Sequence, residues 1–211
     1  MKKIVVFGAS GRTGKYIVEY ALEAGHEVKA FVRNTNSITT THPQLTIVQG
    51  DVTNAAQVAD AIAGTDVVVS ALGTNDIATD AVNMMSDAMS LIIPAMKQHG
   101  VRRVLAIGGL GVLQADEGHQ LIELPSYPEE YRNVGMGHNK VYLLLKDGGL
   151  DWTLVCCPYI PDAPCSGTYE VVKDYPADGK NQINTGDVAD FMVREMTANQ
   201  YLQTRVGISN Y

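Results

Sequence analysis

The sequence predicts an α/β fold, a doubly wound parallel sheet in a single domain, and three observations carry that expectation. Short β-branched and aliphatic runs alternate with segments of helical periodicity along the whole chain. The first run, Ile4 to Phe7, passes through Gly8, Gly11 and Gly14 straight into apolar residues at helical spacing, Ile17, Val18, Ala21 and Leu22. The length of 211 residues, 45% hydrophobic, suits one well-buried core and is short for two.

The elements follow in order. Gly25 closes the first helix, residues 26–33 read as a second strand ending in Arg33, and a polar loop covers 34–41. Leu45–Gln49 is a third strand, and Gly50-Asp51-Val52 leads to a helix over 54–62 with Thr53 as its N-cap. The fourth strand, 66–71, ends in Leu72-Gly73-Thr74. A helix over 80–99 carries Val82, Met85, Met89, Ile92 and Met96 as a core stripe. The fifth strand, 101–107, ends in Gly108-Gly109-Leu110-Gly111. Residues 112–131 lose all periodicity and contain Pro125 and Pro128, which predicts a long loop of the kind that forms a lid or substrate wall. Helix returns over 137–146, and a sixth strand over 150–157 stops at Pro158. The remainder, with irregular C-terminal loops on the substrate side, holds a short strand at 169–172, a helix over 187–198 capped by Thr185 or Gly186, and a last strand at 204–208.

Composition removes several classes. A net charge of −7 without a basic cluster argues against nucleic acid or an anionic membrane as partner. No apolar stretch has the length or flanks of a signal peptide or a membrane helix. Cys156, Cys157 and Cys165 lack metal-ligand spacing, so no metal site is predicted, and they read as reduced thiols of a cytoplasmic protein. His26, His42 and His99 read as surface residues.

The glycine turn carries the chemistry. A helix beginning there aims free N–H groups and the positive end of its dipole at the turn, and pyrophosphate is the natural occupant. In a Rossmann-type fold an acidic residue at the end of the second strand selects NAD; here that place holds Arg33, which can bind a 2′-phosphate. NADP(H) is therefore expected over NAD(H), with Arg12 reaching the same phosphate from the other side and Ser37 adding a hydroxyl. Asp51 and Val52 stand where adenine would lie, although Asp51 could equally cap the following turn. Gly73 leaves room for the cofactor where it crosses the sheet.

Taken together, Gly8 to Gly14, Val32-Arg33, Gly50-Asp51-Val52, Leu72-Gly73-Thr74, residues 95–101, Pro158-Tyr159-Ile160 with Asp162 and Pro164, Gly167 with Tyr169, and Asp187 with Phe191-Met192 resemble the atypical short-chain dehydrogenases/reductases. The resemblance covers nearly the whole chain and is nearest to the biliverdin-IXβ and flavin reductases of that group. It implies an NADPH-binding reductase that passes a hydride to a planar conjugated acceptor, as a monomer, with a homodimer as the alternative. Residue by residue, it implies pyrophosphate held by Gly8, Ser10, Gly11, Arg12, Thr13 and Gly14, the central ribose near Leu72, Gly73 and Thr74, and the nicotinamide against Gly108 and the backbone of Pro158, Tyr159 and Ile160. Gly109, Leu110, His138 and Tyr159 would face the acceptor. Three positions depart from the family: Gly108-Gly109 removes a hydroxyl, Ser37 replaces a second basic residue, and Tyr159 replaces a histidine.

Ordinary members of the wider family use Tyr-x-x-x-Lys to protonate a carbonyl oxygen. Tyr142 and Lys146 have that spacing, but counting back from Gly149 puts the lysine position of related atypical members at His138 and the tyrosine position at Val134. Without the dyad, acceptors that delocalise the incoming electrons (flavin, quinone or bilin) are expected over ketones, with His138 as the candidate proton donor. Two rival readings are a non-catalytic NADP(H) sensor of the NmrA-like kind and a ketone or aldehyde reductase using Tyr142 and Lys146.

Overall fold

The computed structural model describes residues 1–73, 79–179 and 181–211. Its strands are β1 (Lys3–Phe7), β2 (Glu27–Val32), β3 (Leu45–Gln49), β4 (Val67–Ser70), β5 (Arg103–Gly109), β6 (Asp151–Cys157), β7 (Tyr169–Lys173) and β8 (Thr204–Asn210). They form one sheet in the order β3-β2-β1-β4-β5-β6-β8-β7, with every pair parallel except β7 on β8. The helices are α1 (Arg12–Glu23), α2 (Ala55–Ile62), α3 (Thr79–Gln98), α4 (Glu129–Asp147) and α5 (Thr185–Ala198).

The central strands are apolar on both faces because helices cover both. Val5, Phe7, Val68, Val104, Ala106 and Leu154 point into the core shared with α2, α3 and α4. Ile4, Val6, Val67, Val69, Leu105 and Val155 point into the core beneath α1 and α5. The chain runs outward from β1 to β3, then returns to place β4 on the other side of β1. That reversal opens a crevice at the carboxyl ends of β1 and β4, where ligands of open α/β sheets bind. Among the described residues no helix is long and apolar enough to cross a membrane.

Several sequence expectations are corrected. α4 begins at Glu129, eight residues before Gly137, with Glu129 and Glu130 in its first turn. The glycines that hid this start serve close packing: a Cβ on Gly135 would lie 2.6 Å from Ile122 Cδ1, and one on Gly137 would lie 2.3 Å from Val82 Cγ1. The long loop before α4 accordingly ends at Pro128 and contains short 3-10 turns at Leu110–Val112 and Leu121–Glu123. Asn54, not Thr53, caps α2, its side chain accepting from Gln57 N at 3.2 Å. Asn184 occupies the N-cap of α5 instead of Thr185 or Gly186. His26 is buried, not a surface residue, and its Nδ1 accepts from the Lys2 amide.

Cys156 and Cys157 are buried on opposite faces of β6, and burial pushes both thiols up, as suits core residues.

Asp187, fully buried in the first turn of α5, fastens the segment that follows β6. It accepts from Ser166 N (2.8 Å), Gly167 N (3.0 Å), Cys165 Sγ (3.2 Å), Ser166 Oγ (2.8 Å) and Asn210 Nδ2 (2.7 Å). Burial raises its pKa, but the donors from Asn210, Ser166, Cys165 and Gly167 outweigh that and hold it below the ordinary value. A depressed carboxylate pKa contributes stability that is present above the unfolded-state value of about 3.9 and is lost as pH falls through the lower folded value. Asp187→Asn is therefore expected to lower the thermal midpoint at neutral pH and to flatten the acid limb of the stability curve, read by circular dichroism melts from neutral to acid pH.

Candidate cofactor site at the switch point

The turn after β1 is built by close backbone approach. Gly8 adopts φ +80°, and a Cβ there would stand 2.7 Å from the Ala71 carbonyl at the end of β4. The Gly11 amide donates to the Gly8 carbonyl at 2.9 Å, and Gly11 is the N-cap of α1. Having no side chain, it leaves the first amides of α1, those of Arg12, Thr13 and Gly14, without a side-chain cap. Ser10, Gly11 and Arg12 are exposed, whereas Thr13 and Gly14 are buried beneath them. The turn thus offers uncapped donors and a positive dipole end, which fits a diphosphate.

Arg33, just past β2, is exposed; its carbonyl accepts from Gln49 Nε2 at 3.2 Å, and its guanidinium has no hydrogen-bond or ion-pair partner among the described residues. Asp51 lies near enough for the two charges to be felt. Its Oδ1 accepts from Thr53 N (2.9 Å) and Thr53 Oγ1 (2.8 Å), and these bonds hold its pKa below the usual value. The turn-capping role thus accounts for Oδ1 and leaves Oδ2 for a ligand. Val52 and Leu72 are half-buried against the core; Gly73 is exposed, and a Cβ on it would meet nothing within 4 Å among the described residues. Thr74 lies outside the described residues. Ser37 spends its hydroxyl on the Asn34 carbonyl within a 3-10 turn.

Arg12 departs most from expectation. Its Nη1 donates to the Ile160 carbonyl at 3.0 Å, so its guanidinium turns toward the end of β6 rather than toward Arg33. The contact bridges the glycine turn to the segment 158–160 across the crevice. The Tyr159 carbonyl is also engaged, by Ile183 N at 2.9 Å, which leaves Ile160 N–H as a donor without a partner among the described residues. Tyr159 is 68% exposed.

Gly108 is buried in β5, and the space a side chain would fill is taken by Leu154 (2.9 Å) and Cys156 (3.3 Å). Its lack of a side chain is thereby explained by strand packing, which the sequence did not reveal. Gly109 ends β5, and a Cβ on it would lie 2.8 Å from His138 Cδ2. His138 reaches that place from α4. Its Nδ1 is buried without a partner, and burial lowers the imidazole pKa to about 4. The ring is neutral at physiological pH and carries a single N–H. Leu110 packs half-buried in the turn beyond.

Arg132, which the sequence did not mark, fixes the wall above this end of the site. It donates to the carbonyls of Ile122 and Tyr127 and to Glu129 at 2.7 Å, tying the segment before α4 to the first turn of that helix. An arginine in a helical first turn carries no signal in the sequence that would single it out. Tyr142 is drawn elsewhere: the Arg205 guanidinium lies 4.4 Å from its ring centroid, and Trp152, at the start of β6, packs edge-on at 5.9 Å. Lys146 is exposed, 6.0 Å from that ring. The two residues face the entry half of β6 and β8, whereas Gly109 and the crevice lie at the carboxyl ends of the strands.

Comparison with known proteins agrees with this geometry. Residues 8–199 match the family model described as NAD(P)H-binding. The Bacillus subtilis uncharacterized protein YwnB is 30% identical over 203 residues, 92% of each chain. A candidate NADH-flavin reductase from Streptococcus pneumoniae superposes with a TM-score of 0.87 at 28% identity over the full length of both chains. A candidate epimerase from Bacteroides thetaiotaomicron superposes with a TM-score of 0.85 at 28% identity, covering 99% of this chain and 97% of that one. Uncapped amides at the switch point, the Arg33 cation beyond β2 and the match over residues 8–199 agree: the chain belongs to the NAD(P)H-binding family, in the group resembling atypical short-chain dehydrogenases/reductases.

Proposed function

We propose that the protein is an NADPH-dependent reductase of a conjugated acceptor, a flavin, a quinone or a bilin-like molecule. The observation that carries this reading is the pairing of an uncapped α1 N-terminus and an unpaired Arg33 guanidinium on one side of the crevice with a buried, neutral His138 at the end of β5 on the other. When bound, the nicotinamide supplies a hydride. The α1 amides hold the diphosphate, Arg33 takes the 2′-phosphate, Ile160 N–H orients the ring amide, and the half-buried wall around Leu110 excludes water. Tyr159 offers an exposed aromatic face for a planar acceptor to stack on. With Tyr142 packed against Arg205, ketone reduction through Tyr142 and Lys146 is set aside.

The test mixes protein, NADPH and FMN, a quinone or a bilin and follows absorbance of both partners. Turnover of any one of them above the spontaneous rate is expected, and none for all three overturns the proposal. The depressed pKa of His138 also suits a non-catalytic NADP(H) sensor. That reading predicts equal affinity for NADP+ and NADPH with no turnover.

The two arginines make separable predictions. Arg33→Asp should weaken NADPH by roughly 10- to 100-fold, the worth of a charge-assisted hydrogen bond, and leave NADH nearly unchanged. Arg12→Gln should weaken NADPH and NADH alike, because Arg12 bridges the crevice to Ile160 and lies away from the 2′-phosphate. Fluorescence titration with each dinucleotide separates these outcomes, and unchanged selectivity in Arg33→Asp would place the 2′-phosphate elsewhere.

A further inference from the structure

The imidazole of His138 stands where a side chain at position 109 would stand. A Cβ built on Gly109 meets Cδ2 at 2.8 Å, Cγ at 3.4 Å and Nε2 at 3.5 Å, so the Cδ2–Nε2 edge of the ring lies against the end of β5. On the opposite edge Nδ1 is sealed from solvent and has no partner, and the side chain makes no hydrogen bond among the described residues. Burial of an unpaired N–H is rarer and costlier than burial of an unpaired acceptor. The neutral ring therefore keeps its proton on Nε2, and that N–H is the polar group α4 delivers to the carboxyl end of β5.

We infer that His138 holds the acceptor through its Nε2–H, donating to a carbonyl oxygen or ring nitrogen of the bound molecule, and that Gly109 is bare so the imidazole can reach that place. The inference rests on the reductase reading above and gives it a substrate class: planar acceptors with a carbonyl or imine-type nitrogen at the edge of the conjugated system. In the reduction the acceptor would gain a hydride, two electrons and one hydrogen, from the C4–H bond of NADPH, which would break and leave NADP+; one C–H or N–H bond forms on the acceptor, and negative charge settles on an oxygen or nitrogen. A neutral donor aimed at that atom stabilises the charge without giving up its proton, and water supplies the proton afterwards. His138 thus acts as a hydrogen-bond donor rather than a general acid. No cationic side chain is needed, and the low imidazole pKa is compatible with the role.

The test compares His138→Phe, which keeps the ring's bulk and removes the donor, with His138→Gln, which keeps an N–H near Nε2. His138→Phe should lower kcat/KM for FMN by about 100-fold, the usual cost of one such donor, with NADPH affinity within about twofold of wild type. His138→Gln should stay within about tenfold of wild type, and wild-type kcat/KM should show no histidine limb between about pH 5 and 8. Gly109→Ala should lose activity by displacing the ring, and adding it to His138→Phe should cost little more. Equal activity in His138→Phe and wild type overturns the inference, as does a His138→Gln variant as weak as His138→Phe. Nitrogen-15 NMR of the wild-type protein gives a readout that needs no turnover. The Nε2–H tautomer should persist across that pH range, and its shift should move when FMN is added with NADP+. An Nδ1–H tautomer, or no movement with FMN, overturns the inference, whereas absence of turnover with a shift that moves overturns the reductase reading alone.

Discussion

Glu195→Ala is expected to destabilise the fold by about 3–5 kcal/mol, the usual cost of leaving one partner of a buried ion pair unpaired. Arg103, the first residue of β5, reaches Glu195 of α5 at 3.0 Å, with both side chains under a tenth exposed. The guanidinium also donates to Thr153 Oγ1 at 2.8 Å, to the Asp151 carbonyl at 3.1 Å and to the Glu195 carbonyl at 3.1 Å. Glu195 accepts in turn from the Gln200 and Tyr201 amides, so one carboxylate joins the end of α5 to the segment leading into β8. Truncating it strands a buried cation and two amides together. For a chain of this size each kcal/mol moves the midpoint by about 2–4 °C, so a fall of about 6–20 °C should appear in a thermal melt. The comparison is the neighbouring pair: Arg102 binds Asp151 with two bonds of 3.0 Å, yet its side chain is 63% exposed, and Arg102→Ala should leave the thermal midpoint nearly unchanged. An Arg103→Met, Glu195→Leu double variant should recover only the share due to the unpaired guanidinium, because apolar replacement removes that desolvation cost while the Gln200 and Tyr201 amides stay without their acceptor.

What the sequence made legible follows how local the causes are. Strand β1, the glycine turn and α1 are contiguous, and their pattern is carried by neighbours in the chain, so both the fold and the cofactor end of the site could be read from them. The α3 stripe of Val82, Met85, Met89, Ile92 and Met96 is buried as its spacing predicts, for the same reason. The start of α4 was hidden because Gly135 and Gly137 weaken helical propensity locally, while their benefit, close approach to Ile122 and Val82, comes from residues distant in sequence. The direction taken by Arg12 depends on a carbonyl 148 positions away, and no spacing rule reports it. Tyr142 illustrates the converse: its spacing to Lys146 imitates a catalytic motif, but Arg205 and Trp152 claim the ring. The acceptor end of the site was the least legible part because it is assembled from β5, α4 and the segment after β6, which meet only in three dimensions.

Gly14→Ala should have the largest effect on cofactor binding of any single methyl group added to this chain. The new Cβ would lie 2.1 Å from the Gly8 carbonyl oxygen, 2.9 Å from its carbon and 3.0 Å from Ala9 Cα, all backbone atoms that no rotamer change can move aside. Relief requires α1 to lift from the turn by about 1 Å to restore van der Waals contact. Overpacking of this kind costs about 1–3 kcal/mol of stability. The larger consequence is geometric: the amides of Arg12, Thr13 and Gly14 move with the helix, and a displacement of about 1 Å at a positioning element is worth roughly 100-fold. NADPH and NADH should weaken together, since the diphosphate is common to both, which sets this variant apart from Arg33→Asp. Gly118→Ala is the matched control: its Cβ would meet only Asp116 Oδ1, at 3.6 Å, and should change stability by less than about 0.5 kcal/mol. Titration of both dinucleotides beside a thermal melt distinguishes the outcomes. Loss of binding with only a modest fall in the midpoint is the expected result, and wild-type affinity in Gly14→Ala would show that the dinucleotide does not rest on the first turn of α1.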